Sequence, residues 1–250
     1  MNLSILMITK NAEEVIADAL NSVKGLRGEL LVADDGSTDG TIGIVIQYGG
    51  RVFELKNKNL GERIQWLISK AQEDWIFILD SDERVSKKLS REIKEIATPH
   101  RGGVRNDKNK GYSIPYQNYV FGKPVYWGGE RYNKVRFFRK GYGKVTPVSL
   151  HEEVFVKGKI GALHGVIHHH SFRTPIQLFT KFTKYASIAA QEKKRACETL
   201  SFGKLFLYAP HMFWARFVKE KGYKDGWRGF VLAFAFSYME TLMYWILLFL

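Results

Sequence analysis

The sequence predicts an α/β fold: a mostly parallel, twisted sheet with helices on both faces, followed by a helical, hydrophobic C-terminal extension. Three observations carry this expectation. Over the first hundred residues, short apolar runs alternate with amphipathic stretches, the pattern of strands joined by helical crossovers. Two of those runs end abruptly in acidic residues. From residue 174 onward the periodicity turns helical, and residues 230–250 contain 18 apolar or aromatic side chains among 21. The expected boundary lies between residues 172 and 173.

Each element has a local reason. "LSILMIT" (3–9) reads as a buried strand, and it is too short to serve as a signal peptide. "NAEEVIADALNSV" (11–23) reads as a helix with Asn11 as cap and Val15, Ile16, Ala19, Leu20 and Val23 on one face. "ELLVAD" (29–34) is a second strand, and a second helix starts near Thr38, with Thr38 or Asp39 suited to cap it. "RVFEL" (51–55) is a short third strand. "GERIQWLISKA" (61–71) is a helix that delivers the chain to the strand "WIFIL" (75–79). Ser86 can cap the helix that follows. Residues 98–112, polar, basic and glycine-containing, read as a loop. "GYSIPYQNYVFGKPVYW" and "KVRFFRK" alternate as strands of an antiparallel portion. Pro175 suits the first turn of the next helix.

Composition narrows the class further. A hydrophobic fraction of 45% with 14% aromatics fits a folded chain of 250 residues. The single cysteine, Cys197, excludes an internal disulfide and any multi-cysteine zinc site. The net charge of +13 is uneven: residues 1–100 hold 13 basic and 16 acidic side chains, residues 101–150 hold 11 and 2. Basic surface alone suits nucleic acid, anionic lipid or phosphorylated substrates equally.

The acidic strand ends carry the chemistry. In "VADDGSTDGT" (32–41), Asp35, Ser37, Asp39 and Gly40 imitate the start of a calcium-binding EF-hand loop. The twelfth position is Ile46, where that loop needs a bidentate Glu, so calcium is excluded. In "WIFILDSDERV", Asp80, Asp82 and Glu83 stand side by side after an apolar strand and call for a positive partner. A divalent ion such as Mg²⁺ or Mn²⁺, which prefers hard oxygen ligands shared with substrate phosphates, is one such partner. Solvated turns that open the following helices are the plainer reading of both stretches.

Together the two stretches resemble the family 2 glycosyltransferases of GT-A fold. The residues that carry the resemblance are the first strand with Thr9 and Asn11, "DDGSTDGT", and "ILDSDE", this chain's version of the family's Asp-x-Asp motif. It covers residues 3–96 and continues more weakly through "RFFRKG", "LHEEV" and "HHHSFR" to "YASIAA", as in the branch that acts on lipopolysaccharide core and related cell-envelope glycans. The resemblance implies a catalytic domain over 1–172 and an extension over 173–250. It implies an inverting transfer of a sugar, a hexose by default, from a nucleotide-sugar donor, UDP-linked by default, to a glycan or glycolipid acceptor. Thr9 and Asn11 would line the nucleotide pocket; Asp35, with Asp34, would accept hydrogen bonds from the base. Asp80 would contact the ribose or the metal shell, and Asp82 would hold Mg²⁺ or Mn²⁺. Glu152, or its neighbour Glu153, would be the base that deprotonates the acceptor.

The resemblance further implies His169, with Phe172 and Arg173, as a neighbour of diphosphate or metal. Arg131, Arg136 and Arg139 are candidate grips for phosphate or an anionic acceptor. A zinc-protease reading of "HEEVF" fails, because the fourth residue after His151 is Phe155 rather than His. A haloacid-dehalogenase-type phosphotransferase would leave "DDGSTDGT" unexplained. A non-catalytic basic module for membrane or nucleic acid would leave two acidic strand ends unexplained, and anionic partners would avoid them; a degenerate glycosyltransferase that binds without transfer is a further alternative. The tail admits three readings: peripheral attachment at the cytoplasmic face of the inner membrane, packing against the rest of the chain, or true spanning, against which Glu240 in its middle speaks. Peripheral contact suits a lipid-linked acceptor.

Overall fold

The computed structural model describes residues 1–56, 58–99, 108–146, 153–196 and 202–250, with the side chains of 202–206 excepted. The chain divides into two compact units. One is Met1–Tyr116 with Asn133–His169; the other is Gln117–Tyr132 with His170–Leu250. The segment Gln117–Tyr132 thus sits with the C-terminal half, although a boundary at residue 172 would leave it in the first. Its aromatic and apolar side chains, Val120, Phe121 and Val125, pack into the same cluster as Leu178, Phe182 and Leu232.

The elements run β1 (Leu3–Thr9), α1 (Glu13–Val23), β2 (Glu29–Asp34), α2 (Thr41–Gln47), β3 (Arg51–Glu54), α3 (Leu60–Lys70), β4 (Trp75–Asp80), β5 (Glu83–Val85) and α4 (Lys87–Ala97). There follow β6 (Asn109–Val120), β7 (Lys123–Pro124), β8 (Asn133–Arg139), β9 (Gly143–Val145), β10 (Val154–Val156), β11 (Lys159–Ala162) and β12 (Ile167–Phe172). Three helices close the chain: α5 (Pro175–Arg195), α6 (Phe202–Trp214) and α7 (Trp227–Phe249).

In the first unit the strand order is β3-β2-β1-β4-β8-β6-β12-β5. β3, β2, β1 and β4 pair in parallel, as crossover helices require. β8 runs antiparallel to both β4 and β6, so the antiparallel portion expected from "KVRFFRK" joins the same sheet. Strand alternation explains the cover. Leu6, Leu31, Ala33, Ile76 and Ile78 share a face and pack under Ile64, Leu67 and Ile68 of α3. The intervening Ile5, Met7, Val32, Phe77 and Leu79 point the other way and are equally buried, as near-continuous apolar strands demand.

Helix starts differ instructively from the expectation. α3 opens on a capping box of Asn59 and Glu62, and α4 on Ser86, whose hydroxyl accepts the Leu89 N–H at 3.2 Å. α1 opens at Glu13, not at Asn11. Asn11 adopts a left-handed φ of 47° and its side chain turns elsewhere. The first amides of α1 are instead satisfied from a distance: Ala12 N–H donates to Thr41 Oγ1 at 2.8 Å and Glu13 N–H to Asp39 Oδ2 at 3.2 Å. β6 begins at Asn109, inside the stretch expected to be loop.

In the second unit α5 has Pro175 in its first turn, as the sequence indicates, and Thr174 caps it. Leu178 and Phe182 of α5 meet Leu232 and Ala235 of α7; further along, Ala186 and Ala190 meet Met243 and Leu247. The two helices therefore lie side by side over their length.

Candidate active site

Register decides what can meet at the strand ends. Thr9 of β1 lies opposite Asp34 of β2, and Ile8 lies opposite Asp80 of β4. Neighbouring strands are about 4.8 Å apart, so Asp34 and Asp80 flank the end of β1 at roughly 10 Å from each other. Both acidic stretches thus open on one edge of the sheet, the carboxyl ends of its parallel strands.

The turn after β2 is built around Asp34. That side chain is fully buried; its Oδ2 accepts the N–H groups of Gly36 and Ser37, both at 2.8 Å, and its Oδ1 accepts the Ser37 hydroxyl at 2.5 Å. Gly36 takes φ +82°, which glycine adopts without cost. Asp34 is therefore committed to the turn rather than offered outward. Asp35 is partly exposed and pairs with Lys10 at 3.2 Å and with Arg63. Asn11 ties β1 to the turn: its Oδ1 accepts the Thr38 N–H at 2.8 Å and its own N–H donates to Ser37 Oγ at 2.9 Å. The Thr41 hydroxyl donates to Asp39 and, with the amides of Thr41 and Glu13 and against the opposing effect of burial, holds that carboxyl below its ordinary range. The Thr9 hydroxyl is different. It is buried and, among the described residues, has no hydrogen-bond partner.

The turn after β4 is arranged on another principle. Glu83 is buried and its Oε2 accepts the Asp80 N–H at 3.0 Å. Asp80 accepts from Arg136 Nη2 at 3.2 Å, and Arg136 Nε donates to the Tyr116 hydroxyl at 3.0 Å. Asp82 lies 3.6 Å from His169 Nε2. Burial pulls the His169 imidazole down, but Asp82, with Glu83 and Asp80 behind it, outweighs this and holds His169 above its ordinary pKa. Burial pushes the Tyr116 phenol well above its ordinary value, so it stays protonated. The positive partners that three adjacent carboxylates require are therefore supplied in part by the chain itself.

Several expected roles move. Arg136 is 2% exposed and turned onto Asp80, so it does not reach outward to grip phosphate. Arg139 lies opposite Trp75, at the far end of β4 from Asp80, with its guanidinium over the Trp75 ring. Arg131 lies over Tyr126, and Arg173 is an exposed residue of the second unit just before α5. Glu152 lies outside the described residues. Glu153 is exposed at the foot of the β9–β10 hairpin, where its N–H donates to Thr146 Oγ1 at 3.0 Å. Sequence reasoning missed Tyr116, Lys10 and Arg63. For Tyr116 the signal was an arginine inside the apolar run "VRFF", which demands buried partners.

Comparison with known proteins fixes the family. A family model described as glycosyl transferase family 2 matches residues 4–148, more than half of the chain. The chain belongs to that family. Its α/β sheet, with parallel strands ending in acidic turns, is the GT-A fold expected from the sequence. An uncharacterised glycosyltransferase of Rickettsia prowazekii is 29% identical over 253 residues, spanning 96% of this chain and 84% of that protein. The lipopolysaccharide core biosynthesis glycosyltransferase LpsC of Rhizobium meliloti is 24% identical over 240 residues, spanning 92% and 86%. Among solved structures, Staphylococcus aureus TarS 1–349 in complex with UDP overlays with a TM-score of 0.45 at 14% identity, covering 90% of this chain and 75% of that one. In this glycosyltransferase Asp34 of the β2 turn is taken up by its own turn, whereas Asp80 and Asp82 of the β4 turn stand beside Arg136 and His169.

Proposed function

We propose that the protein is an inverting, metal-assisted hexosyltransferase. It takes a sugar from a UDP-linked donor and delivers it to a cell-envelope glycan or lipid-linked acceptor, with lipopolysaccharide core favoured, at the cytoplasmic face of the inner membrane. The observation that carries the donor half is the register that sets Asp34, Thr9 and Asp80 side by side at three neighbouring strand ends, where open α/β sheets gather ligands. The acceptor half is supported by the likeness to LpsC, named for lipopolysaccharide core biosynthesis.

In this reading Thr9 and Asn11 line the nucleotide pocket and Asp35 accepts hydrogen bonds from the base, with Asp34 holding the turn behind it. Asp80 faces the ribose or the metal shell, aimed by Arg136. Among the described residues no group of three or more His, Cys, Asp or Glu side chains forms a metal cage. Asp82, with Asp80 beside it, still suits Mg²⁺ or Mn²⁺, which is ordinarily held by one or two carboxylates and completed by substrate phosphates. Such an ion, when bound, would neutralise charge gathering on the departing diphosphate. His169 orients Asp82 from the other side. Glu152 removes the proton of the attacking hydroxyl, and a single displacement without covalent intermediate inverts the anomeric centre.

The test is thermal unfolding with a panel of sugar nucleotides, with and without Mn²⁺. A UDP-hexose at about a hundredfold excess over its Kd should raise Tm by roughly 5–10 °C, and only with metal. Stabilisation without metal, or by another nucleotide class alone, would contradict the donor and metal assignments.

A further inference from the structure

The second unit carries two apolar surfaces of opposite fate. Along α7, Leu232, Ala235, Met243 and Leu247 are buried against neighbouring helices. Trp227, Phe230, Phe234, Trp245 and Phe249 are instead 55%, 49%, 51%, 48% and 81% exposed. Their spacings of three, four, eleven and four residues place all five on one stripe of the helix. Five large exposed aromatic side chains on one stripe, in two groups separated by the half-buried Tyr238 and Thr241, call for cover.

The surroundings of the stripe say what that cover is. At its N-terminal end the aromatics carry cations over their rings. Arg228 lies 4.6 Å from the Trp227 ring, Lys224 is 4.3 Å from the Trp127 ring and Arg131 is 5.4 Å from the Tyr126 ring. From residue 219 to 228 the chain holds Lys219, Lys221, Lys224 and Arg228 against Glu220 and Asp225, while Arg216 just before them is turned inward and paired with Glu130. Asp225 is turned inward, accepting the N–H groups of Tyr126 and Trp127 at 3.0 and 2.8 Å. A second copy of this face would set like charges against one another. Lipid phosphates complement them, and Trp and Tyr beside Lys and Arg are the side chains that settle at a headgroup boundary.

We infer that this face docks on an anionic lipid surface with α7 lying in the plane of the interface, not crossing the bilayer. The inference rests on the membrane contact proposed above and adds the face and its orientation. By length and apolarity α7, at 23 residues, is able to span. It does not stand alone, however. α5 packs along it, with the Phe182 ring 4.9 Å from that of Phe236 near one end and Ala190 clustered with Leu247 near the other. The outer faces of α5 expose Lys184, Gln191, Glu192, Lys194 and Arg195. Crossing the bilayer as a packed pair would drag those groups into hydrocarbon. Glu240, on the side of α7 opposite the stripe, is turned to the protein as well: burial raises its pKa and Lys193 of α5 draws it back down. Lying flat, α7 buries its stripe in lipid while α5 stays in water.

Flotation of the full chain with vesicles of phosphatidylethanolamine containing about 30% phosphatidylglycerol tests this. The wild-type protein should float and be released by alkaline carbonate. The double substitution F230E/F234E should weaken flotation by about tenfold or more. An environment-sensitive fluorophore on Phe234→Cys should shift to the blue on vesicle addition, and one on Lys184→Cys should not, each in a Cys197→Ser background. Wild-type protein that fails to float overturns the membrane contact itself. Flotation unchanged in F230E/F234E, or no shift at position 234, overturns this face while leaving membrane contact standing. Retention in carbonate, or a blue shift at position 184, overturns the in-plane orientation.

Discussion

The turns after β2 and β4, "ADDGSTDG" and "LDSDERVS", are both acidic and divide their labour differently. In the first, two carboxylates serve backbone amides, Asp34 those of Gly36 and Ser37 and Asp39 those of Thr41 and the start of α1, while Asp35 pairs with Lys10 and Arg63. In the second, buried Glu83 serves the Asp80 amide, while Asp80 and Asp82 are held by side chains, Arg136 and His169, and keep part of their surface exposed. A carboxylate saturated by amides is scaffolding; one that keeps part of its surface exposed beside a cation can still take a ligand. Acidic residues at a strand end therefore do not declare their role by identity alone.

The contrast can be broken by substitution. Asp82→Ala should cut transfer by roughly a thousandfold or more while shifting Tm little, because its loss removes transition-state stabilisation; an unfolded product would make the second turn scaffolding too. Asp34→Ala should do the reverse, costing about 2–4 kcal/mol in denaturant unfolding because two part-buried amides and a hydroxyl lose their acceptor. Normal stability with lost donor binding would reassign Asp34 to the base. Glu152→Gln should lower kcat by roughly a hundredfold with donor protection intact. Full turnover would move the base elsewhere. Tyr116→Phe, the smallest change, should raise the apparent KM for metal by less than about tenfold, since it only loosens Arg136 behind Asp80. An unaltered metal dependence would leave Tyr116 a packing residue.

Much of this was legible in the sequence, for reasons that particular residues make plain. Leu3–Thr9, Glu29–Asp34 and Trp75–Asp80 are continuous apolar runs ended by polar residues, so the parallel strands and their acidic ends could be read directly. The Ser86 cap and the place of Pro175 in the first turn of α5 were equally legible. The start of α1 was not, because its amides are satisfied by Thr41 and Asp39, almost thirty residues away. Arg136 was read as a surface grip because charge predicts exposure; its neighbours Phe137 and Phe138 show that the strand is buried there, and Asp80 makes that burial tolerable. The grouping of Gln117–Tyr132 with the C-terminal helices depends on aromatic contacts far apart in the chain, such as Phe121 stacked on Trp227, which no local pattern announces.

The central claim is that the β4 turn, through Asp82, holds a divalent ion together with the donor's diphosphate. Mn²⁺ titrated into the protein and followed by electron paramagnetic resonance, with and without UDP, tests it most directly. The account predicts that UDP and wild-type protein together remove the free-ion signal well beyond what UDP alone does, and that Asp82→Ala abolishes the difference while Asp39→Asn keeps it. Equal loss of signal in Asp82→Ala and wild type would contradict it.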